Sequence, residues 1–481
     1  MTELKLTNTI CQKARLARDP RFDGLFFTGV KTTGIYCRPI CPATSPKESN
    51  VVYFGSAIEA ANTGLRPCLR CHPDSAPSSP AWMGTETSFR RAMLLIEQGA
   101  LQQHSTEHLA QRLGISDRYL RQLFQSYLGI SPKAYALYQQ CLFAKQLLHN
   151  TSLTITDIAL ASGFNSIRRF NDCFKKNFAL SPSNIRRQQA KSQQTGCRLT
   201  LYYRPPFDWP HMQRFLSHRI IPSLEWVTET GYGRTFRYSA SGKDDIQGQF
   251  EISPITGKHA LQLTLEINQP KHTMIIVNKI KQLFDLHINS VEIDKQLAQV
   301  LTPSLIKPGI RIPGVWSLFE AGVRAILGQQ VSVKAAHNLV TQVVDHLGDG
   351  FSNDKKLFPT PDAIAGSDLS FLKMPGRRKT SLIEFAKWYI THSNEIDTDS
   401  SVLNDITQIK GIGPWTLNYL KLRGVKDPDI WLGDDLGVKN ALRDHQLTID
   451  PDIAAPWRSY LTFQIWDFLS RQTDKRWFYL H

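Results

Sequence analysis

The sequence predicts a multidomain α+β chain: a small mixed α/β domain at 1–75, an all-α domain at 86–190, an antiparallel α+β domain at 197–290 and a second all-α domain at 291–481. Three observations lead there. The period of the apolar side chains changes three times along the 481 residues, polar stretches separate the first three segments, and all eight cysteines lie at or before Cys197.

Residues 1–75 carry short apolar runs, Leu25-Phe26-Phe27 and Val51-Val52-Tyr53-Phe54, cut by Gly and Pro, which suits short strands. The stretch S-A-P-S-S-P at 75–80 is a linker by composition. From 86 to 190 apolar residues recur at helical spacing, and K-S-Q-Q-T-G at 191–196 reads as a second linker. Beyond it, Leu199 to Tyr203 and Ala260 to Ile267 alternate as strands do, with a helical pattern around 211–219 between them. From 291 onward helical periods return, broken by Gly and Pro turns.

No run of 18 apolar residues exists, so no membrane span is predicted. The start, MTELKLTNTI, carries Glu3 and lacks a long apolar stretch after its first basic residue, a poor signal peptide. The expectation is a cytoplasmic protein. The formal charge of +15 is uneven: residues 1–195 hold 24 Lys and Arg against 12 Asp and Glu, and the rest 33 against 30. The front half therefore suits a polyanion, since Lys and Arg contacts to phosphate supply most non-specific DNA affinity. A solvated basic surface is the alternative on charge alone.

The cysteines narrow this. Cys37 and Cys41 are followed, with 26 residues between, by Cys68 and Cys71. Two close pairs joined by a loop bring four sulfurs into the tetrahedron that Zn²⁺ accepts, and in a reducing compartment such clusters argue for metal over disulfides. One structural zinc is the plain reading. The strings F-T-G-V-K-T-T-G-I-Y-C-R-P-I-C-P-A and G-L-R-P-C-L-R-C-H-P around them resemble the N-terminal domain of the Ada family of adaptive-response proteins. The resemblance implies that Cys37 accepts a methyl group from a methylated DNA phosphate, with Cys41, Cys68 and Cys71 as the other ligands. Four thiolates on one Zn²⁺ leave a net charge near −2 and a nucleophilic sulfur. Alkylation removes one unit of that charge. Two unit charges 4 Å apart interact by about 4 kcal/mol at an effective dielectric of 20, so even a screened fraction makes the repair a DNA-binding switch. Thr44 stands where this pattern has a basic residue, with Lys47 nearest.

Residues 106–127 place a helical pattern, a turn at Gly114 and a second helix whose polar face carries Asp117, Arg118, Arg121 and Gln122. About fifty residues on, 155–176 repeats the plan with Gly163 at the turn and Arg168, Arg169, Asn171, Lys175 and Lys176 on the second helix. Helix, tight turn and basic helix is the helix-turn-helix layout, whose second helix reads the major groove. The tandem, with G-I-S-P-K-A-Y and A-L-S-P-S-N-I after its two units, resembles the AraC-type DNA-binding domain. That implies promoter DNA as a partner and RNA polymerase as a further one, at the bacterial nucleoid. Leu109, Leu120, Phe124, Ile158, Phe170 and Phe174 are core residues on spacing, as are Cys141 and Cys173.

In the last segment, I-K-G-I-G-P-W-T-L-N-Y at 409–419 places Gly411 and Gly413 in a turn between helices, where backbone N–H groups can approach a phosphate closely. Followed by W-L-G-D-D-L at 431–436, it resembles the helix-hairpin-helix glycosylases. R-P-P-F-D-W at 204–209, F-E-A-G-V-R-A-I-L-G-Q-Q-V-S at 319–332 and P-W-R-S-Y at 456–460 are similar to the AlkA family of alkylpurine glycosylases, over nearly all of 197–481. The resemblance implies a catalytic Asp435 and a base pocket walled by Trp415, Tyr419 and Trp466, suited to a flipped cationic base. It also implies that Gln330 stands where the family carries an apolar wedge. Either Asp434 or Asp435 suits the N-cap of a helix over V-K-N-A-L-R, and core packing is the rival role for Trp466. The expectation is that Asp434 caps or braces and Asp435 is catalytic.

In strand-nicking relatives a lysine occupies the position of Trp415, so base excision without a lyase step is expected here. With no cysteine after 197, no iron–sulfur cluster is expected in the glycosylase half. The P-C-H-R string of the Ada family's second methyltransferase is absent, so direct reversal of O-alkylguanine is not expected. The implied whole is an alkylation-responsive activator and glycosylase on double-stranded DNA. The alternative is a regulator whose glycosylase half only grips DNA.

Overall fold

A computed structural model describes residues 7–18, 22, 26–54, 59–60, 63–68, 71, 73, 85–97, 99–187, 197–240, 244–396 and 400–472. Both predicted linkers, 75–80 and 191–196, lie outside the described residues, as does Leu25. The chain forms two units, one of Met1–Leu94 with Arg118–Gly129, the other of Leu95–Asp117 with Ile130–His481. The multidomain α+β expectation holds, and among the described residues no helix is long and apolar enough to cross a membrane.

In the first unit, β1 (Phe27–Val30), β2 (Ile35–Cys37), β3 (Val51–Phe54) and β4 (Arg66–Pro67) form a sheet of order β3-β1-β2-β4. β1 is antiparallel to β2 and β3, and β4 runs parallel to β2. Phe27, Tyr36, Phe54 and Ala60 make its small core. A core this small gains from a bound metal, since little apolar area is available to hold it. On the helices of this unit, Phe89 stacks on Tyr127 at 4.5 Å and meets Phe124 edge-on at 5.1 Å.

In the second unit, β5 (Cys197–Tyr202), β6 (Glu225–Val227), β7 (Tyr232–Ala240), β8 (Asp244–Pro254) and β9 (Ala260–Ile267) form an antiparallel sheet of order β5-β9-β8-β7-β6. Alternation buries Cys197, Leu199 and Leu201 along β5, as the sequence predicts for this stretch. The helix foreseen near 211–219 is Trp209–Ser217, capped by Asp208, whose carboxylate accepts from His211 N at 2.9 Å.

One apolar core runs from the second helix-turn-helix into this sheet. Leu147, Phe170 and Phe174 belong to the same buried cluster as Leu199, Leu263 and Phe284. Gln146 on the helix Pro132–Asn150 donates to the Thr200 carbonyl of β5 at 2.5 Å, and Gln102 Nε2 to Met274 Sδ at 2.8 Å. Beyond the sheet, the helices Leu318–Leu327, Val333–Leu347, Gly376–Ile396, Pro414–Leu420, Leu436–Asp444 and Arg458–Gln472 close around two further apolar clusters.

Candidate functional site

The end of β2 delivers Cys37, a turn closed by Cys41 N–H to Arg38 O at 3.2 Å delivers Cys41, and the chain leaving β4 brings Cys68 and Cys71 alongside. Their sulfurs all lie within 4.8 Å of one another, with Cys41 and Cys68 at 3.9 Å. Tetrahedral Zn–S bonds of about 2.3 Å require sulfurs about 3.8 Å apart, so the set fits zinc. The thiols contend for protons: the hydrogen bond with Cys41 pushes Cys37 up, and the same contact draws Cys41 down to about 2. A cation displacing the protons removes that conflict.

The four sulfurs differ in their surroundings. Cys68 and Cys71 are buried, whereas Cys37 and Cys41 are half-exposed. The Arg38 N–H donates to Cys71 at 3.3 Å, and the Ala43 N–H reaches Cys41. Among the described residues no such backbone donor blunts Cys37.

Helix Thr106–Arg112, the turn at Gly114 (φ +67°) and helix Asp117–Leu128 follow as foreseen, then helix Ile155–Ala161, Gly163 (φ +82°) and helix Ile167–Phe178. Ser166 caps the last of these through the Arg169 N–H at 3.3 Å. Arg118, Arg121, Gln122, Arg168, Arg169 and Lys175 are all exposed. Leu109, Leu120, Phe124, Ile158, Phe170 and Phe174 are fully buried, as is Cys141, while Cys173 is half-buried.

The remaining candidates gather in the second unit around a cavity of about 840 Å³, lined among others by Gln330, Gly411, Trp415, Tyr419, Asp435 and Trp466. Trp415 and Tyr419, one turn apart on Pro414–Leu420, stack at 5.3 Å. Four N–H groups converge on Asp435: Trp415 Nε1 on Oδ2 at 3.1 Å, and Trp466 Nε1 at 3.0 Å, Gly437 N at 3.0 Å and Val438 N at 3.2 Å on Oδ1. The carboxylate also sits at the positive end of helix Leu436–Asp444.

Here one expectation is corrected. The N-cap is Asp435 itself, and Asp434 is exposed and pairs with Lys439 at 2.9 Å. The helix begins one residue later than an Asp434 cap requires, so a single aspartate both caps and faces the cavity. Trp466 packs edge-on against Phe463 at 5.1 Å while its indole N–H faces the carboxylate at the cavity.

Gly411 has φ +94°, and a Cβ there would lie 2.5 Å from Ser381 Oγ, so the hairpin turn excludes side chains. Gln330 is exposed at φ +56°, the left-handed region that non-glycine residues rarely occupy. Its neighbour Gln329, not singled out from sequence, ties this turn to the hairpin by donating to Gly411 O at 3.0 Å and Thr416 Oγ1 at 2.9 Å.

Also unforeseen is a buried charge network in the cavity wall. Arg234 grips Glu320 with bonds of 2.8 and 3.2 Å, and Arg324 bridges Glu320 at 2.8 Å and Glu225 at 3.0 Å. Burial pushes Glu225 up, but Arg324 and Arg234 outweigh it and hold the carboxyl below its usual range. The members lie up to 99 residues apart, so no spacing rule finds them.

A thiolate metal domain, paired helix-turn-helix units and a hairpin-guarded aromatic pocket define a chain of the fused, DNA-repair-associated class. Family models match accordingly: the metal binding domain of Ada over residues 10–74, a helix-turn-helix domain over 109–188 and the AlkA N-terminal domain over 198–317. A Mycobacterium tuberculosis chain described as "probable bifunctional transcriptional activator/DNA repair enzyme AlkA" is 30% identical over 491 residues, covering 97% of each chain. The Escherichia coli DNA-3-methyladenine glycosylase 2 is 31% identical over 57% of this chain and 99% of its own. The Escherichia coli bifunctional transcriptional activator/DNA repair enzyme Ada is 36% identical over 31% of this chain and 40% of its own. This chain belongs to the family of bifunctional AlkA proteins, in which an Ada-type front half is joined to an AlkA-type glycosylase half.

Proposed function

We propose that the chain senses alkylated DNA by methyl transfer to Cys37, activates promoters through residues 86–190, and removes alkylated purines such as 3-methyladenine by hydrolysis at Asp435. In this reading residues 1–75 form the methyl-acceptor domain, and 197–290 with 291–481 form the glycosylase. Double-stranded DNA is the partner of both halves, RNA polymerase that of the activator, and the setting is the bacterial cytoplasm.

One zinc ion held by Cys37, Cys41, Cys68 and Cys71 supplies thiolate character at neutral pH. Cys37 is the nucleophile because it is half-exposed and lacks the backbone N–H donors that reach Cys41 and Cys71. Its sulfur attacks the methyl carbon of a phosphotriester. The S–C bond forms, the C–O bond breaks, and the electron pair returns to the phosphate oxygen. The modified sulfur is not regenerated, so each chain turns over once. Arg118, Arg121, Gln122, Arg168, Arg169 and Lys175 are the DNA-facing side chains of the two reading helices.

The observation that carries the glycosylase reading is Asp435 at the aromatic cavity, fixed by both indole N–H groups. A flipped base stacks against Trp415 and Tyr419, Gln330 fills the gap it leaves, and the hairpin at Gly411 and Gly413 holds the backbone. As the glycosidic bond breaks, its electron pair leaves with the base. The fixed carboxylate stabilises the oxocarbenium-like sugar until water adds. Trp415 offers no amine, so no Schiff base and no strand cleavage follow. No iron–sulfur cluster enters this reading.

The test is release of free bases from methylated duplex DNA by the full chain and by Asp435→Asn. Release by the parent, falling about 10²–10³-fold in the variant, is expected for loss of a preorganised charge. An inactive parent that still binds DNA would leave a methylation-sensing regulator.

A further inference from the structure

Of the four cysteines outside the metal site, two meet. Cys141, on helix Pro132–Asn150, shares a thiol–thiol hydrogen bond with Cys173, on the second reading helix Ile167–Phe178. The Asn177 carboxamide bridges them: its Nδ2 lies 3.8 Å from Cys141 Sγ and 3.7 Å from Cys173 Sγ, and it donates to the Cys173 carbonyl at 2.8 Å.

The two thiols differ in access. Cys141 is fully buried, whereas Cys173 is half-buried. Burial first, and Cys173 second, push the Cys141 thiol up to about 12, so it keeps its proton at neutral pH. Cys173 instead lines a cavity of about 380 Å³ with Ser166, Arg168, Arg169, Asp172 and Lys176. Three cations and one carboxylate share that space, an electropositive and partly exposed setting of the kind in which cysteines react.

We propose that Cys141 and Cys173 form a peroxide-responsive pair, whose disulfide displaces the second reading helix and weakens DNA binding. This rests on the DNA-reading role given above to Arg168, Arg169 and Lys175. Hydrogen peroxide oxidises the Cys173 sulfur to a sulfenic acid and leaves as one water. The Cys141 sulfur then attacks that of Cys173. The S–S bond forms, the S–O bond breaks, and the departing hydroxide takes the Cys141 proton as a second water. The thiols lose two electrons, which the O–O bond of the peroxide accepts. Bonded sulfurs stand closer than contacting thiols, so closure draws the two helices together. Pro132–Asn150 is held against the sheet by Leu147 in the shared core and by Gln146 on the Thr200 carbonyl, so the reading helix is the partner that shifts. Arg168 and Arg169, on its first turn, shift with it.

The full-length parent, Cys141→Ala and Cys173→Ala, all keeping the four metal-site thiols, are treated with hydrogen peroxide. Peptide mass spectrometry after thiol blocking reads the crosslink. Binding to a duplex that the reduced parent selects from a random-sequence pool reads the helix. The parent is expected to give a Cys141–Cys173 crosslink and to bind at least tenfold more weakly, with recovery in dithiothreitol. Cys141→Ala is expected to stop at a sulfenic acid on Cys173 and to keep its binding. Thermal unfolding checks that the variants fold, and Cys141→Val serves should Cys141→Ala not fold. Absence of the crosslink, or a crosslink with unchanged binding, overturns the proposal and leaves the reading role standing. Equal losses of binding in parent and variants also overturn it, assigning the effect to the metal-site thiols. A reduced parent that selects no duplex removes the reading role and this switch with it.

Discussion

At Asp435 four N–H groups converge on one carboxylate, whereas among the described residues no backbone N–H reaches the sulfur of Cys37. The difference lies in what each group does with its lone pairs. Donors spread the carboxylate's charge and fix its position, which suits a group that steadies a cation and stays unchanged. The Cys37 sulfur meets the Cys41 and Cys71 thiols instead, and freedom from backbone donors suits the bond-making role proposed for it. On the function proposed above, hydrogen-bond donors thus separate a stabilising anion from a reacting one.

The largest way to break the comparison is to strip the metal. Structural zinc sites of this kind contribute about 10–16 kcal/mol to folding, so a chelator should unfold the sheet around β1 to β3 while base release continues. Hydrogen exchange over residues 27–54 with a parallel base-release assay reads both, and a zinc-free sheet that stays protected would show the sulfurs to be dispensable for folding.

Next is the charge network behind the pocket. Glu320→Ala leaves Arg234 and Arg324 short of a partner in a buried wall and should cost about 3–5 kcal/mol. Urea unfolding measures it, and a loss under about 1 kcal/mol would mean water satisfies the arginines.

A smaller effect is set by pH. Glu225 has its pKa depressed in the folded protein, so its contribution to stability is fully present above the unfolded carboxyl value of about 4.3 and is lost as pH falls through the lower, folded value. Unfolding free energy should fall between pH 5 and pH 3, roughly, and Glu225→Gln should flatten that slope. An unchanged slope in the variant would assign it to other carboxyls.

The smallest sharpens the division between the adjacent aspartates. Asp434 is exposed and, among the described residues, paired only with exposed Lys439, so Asp434→Ala should alter stability by less than about 0.5 kcal/mol and leave base release intact. A large loss of activity there would move the proposed catalytic role to Asp434.

Local chemistry was legible in the sequence and long-range pairing was not. The four cysteines are found by spacing, because a tetrahedron built from two close pairs constrains that spacing. Asp435 stands out in its motif, but which of two neighbouring aspartates caps the helix depends on a one-residue shift in the helix start. The same single step separates Gln329, which braces the hairpin, from exposed Gln330. Glu225, Arg234, Glu320 and Arg324 look like four ordinary surface charges, because they meet only after β6, β7 and the helix Leu318–Leu327 come together.

The core that joins Phe170 and Leu147 to Leu199 and Leu263 also bears on how such a protein could be assembled from parts. A recombination event at the polar stretch before β5 would join two coding regions, but not two finished surfaces. The buried side of Pro132–Asn150 and the buried face of β5 must be complementary in shape. Chimeras that exchange front halves between relatives should then succeed only when the first strand of the sheet travels with the helices, and the seam between activator and enzyme is read in matched side chains rather than in the polar stretch before that strand.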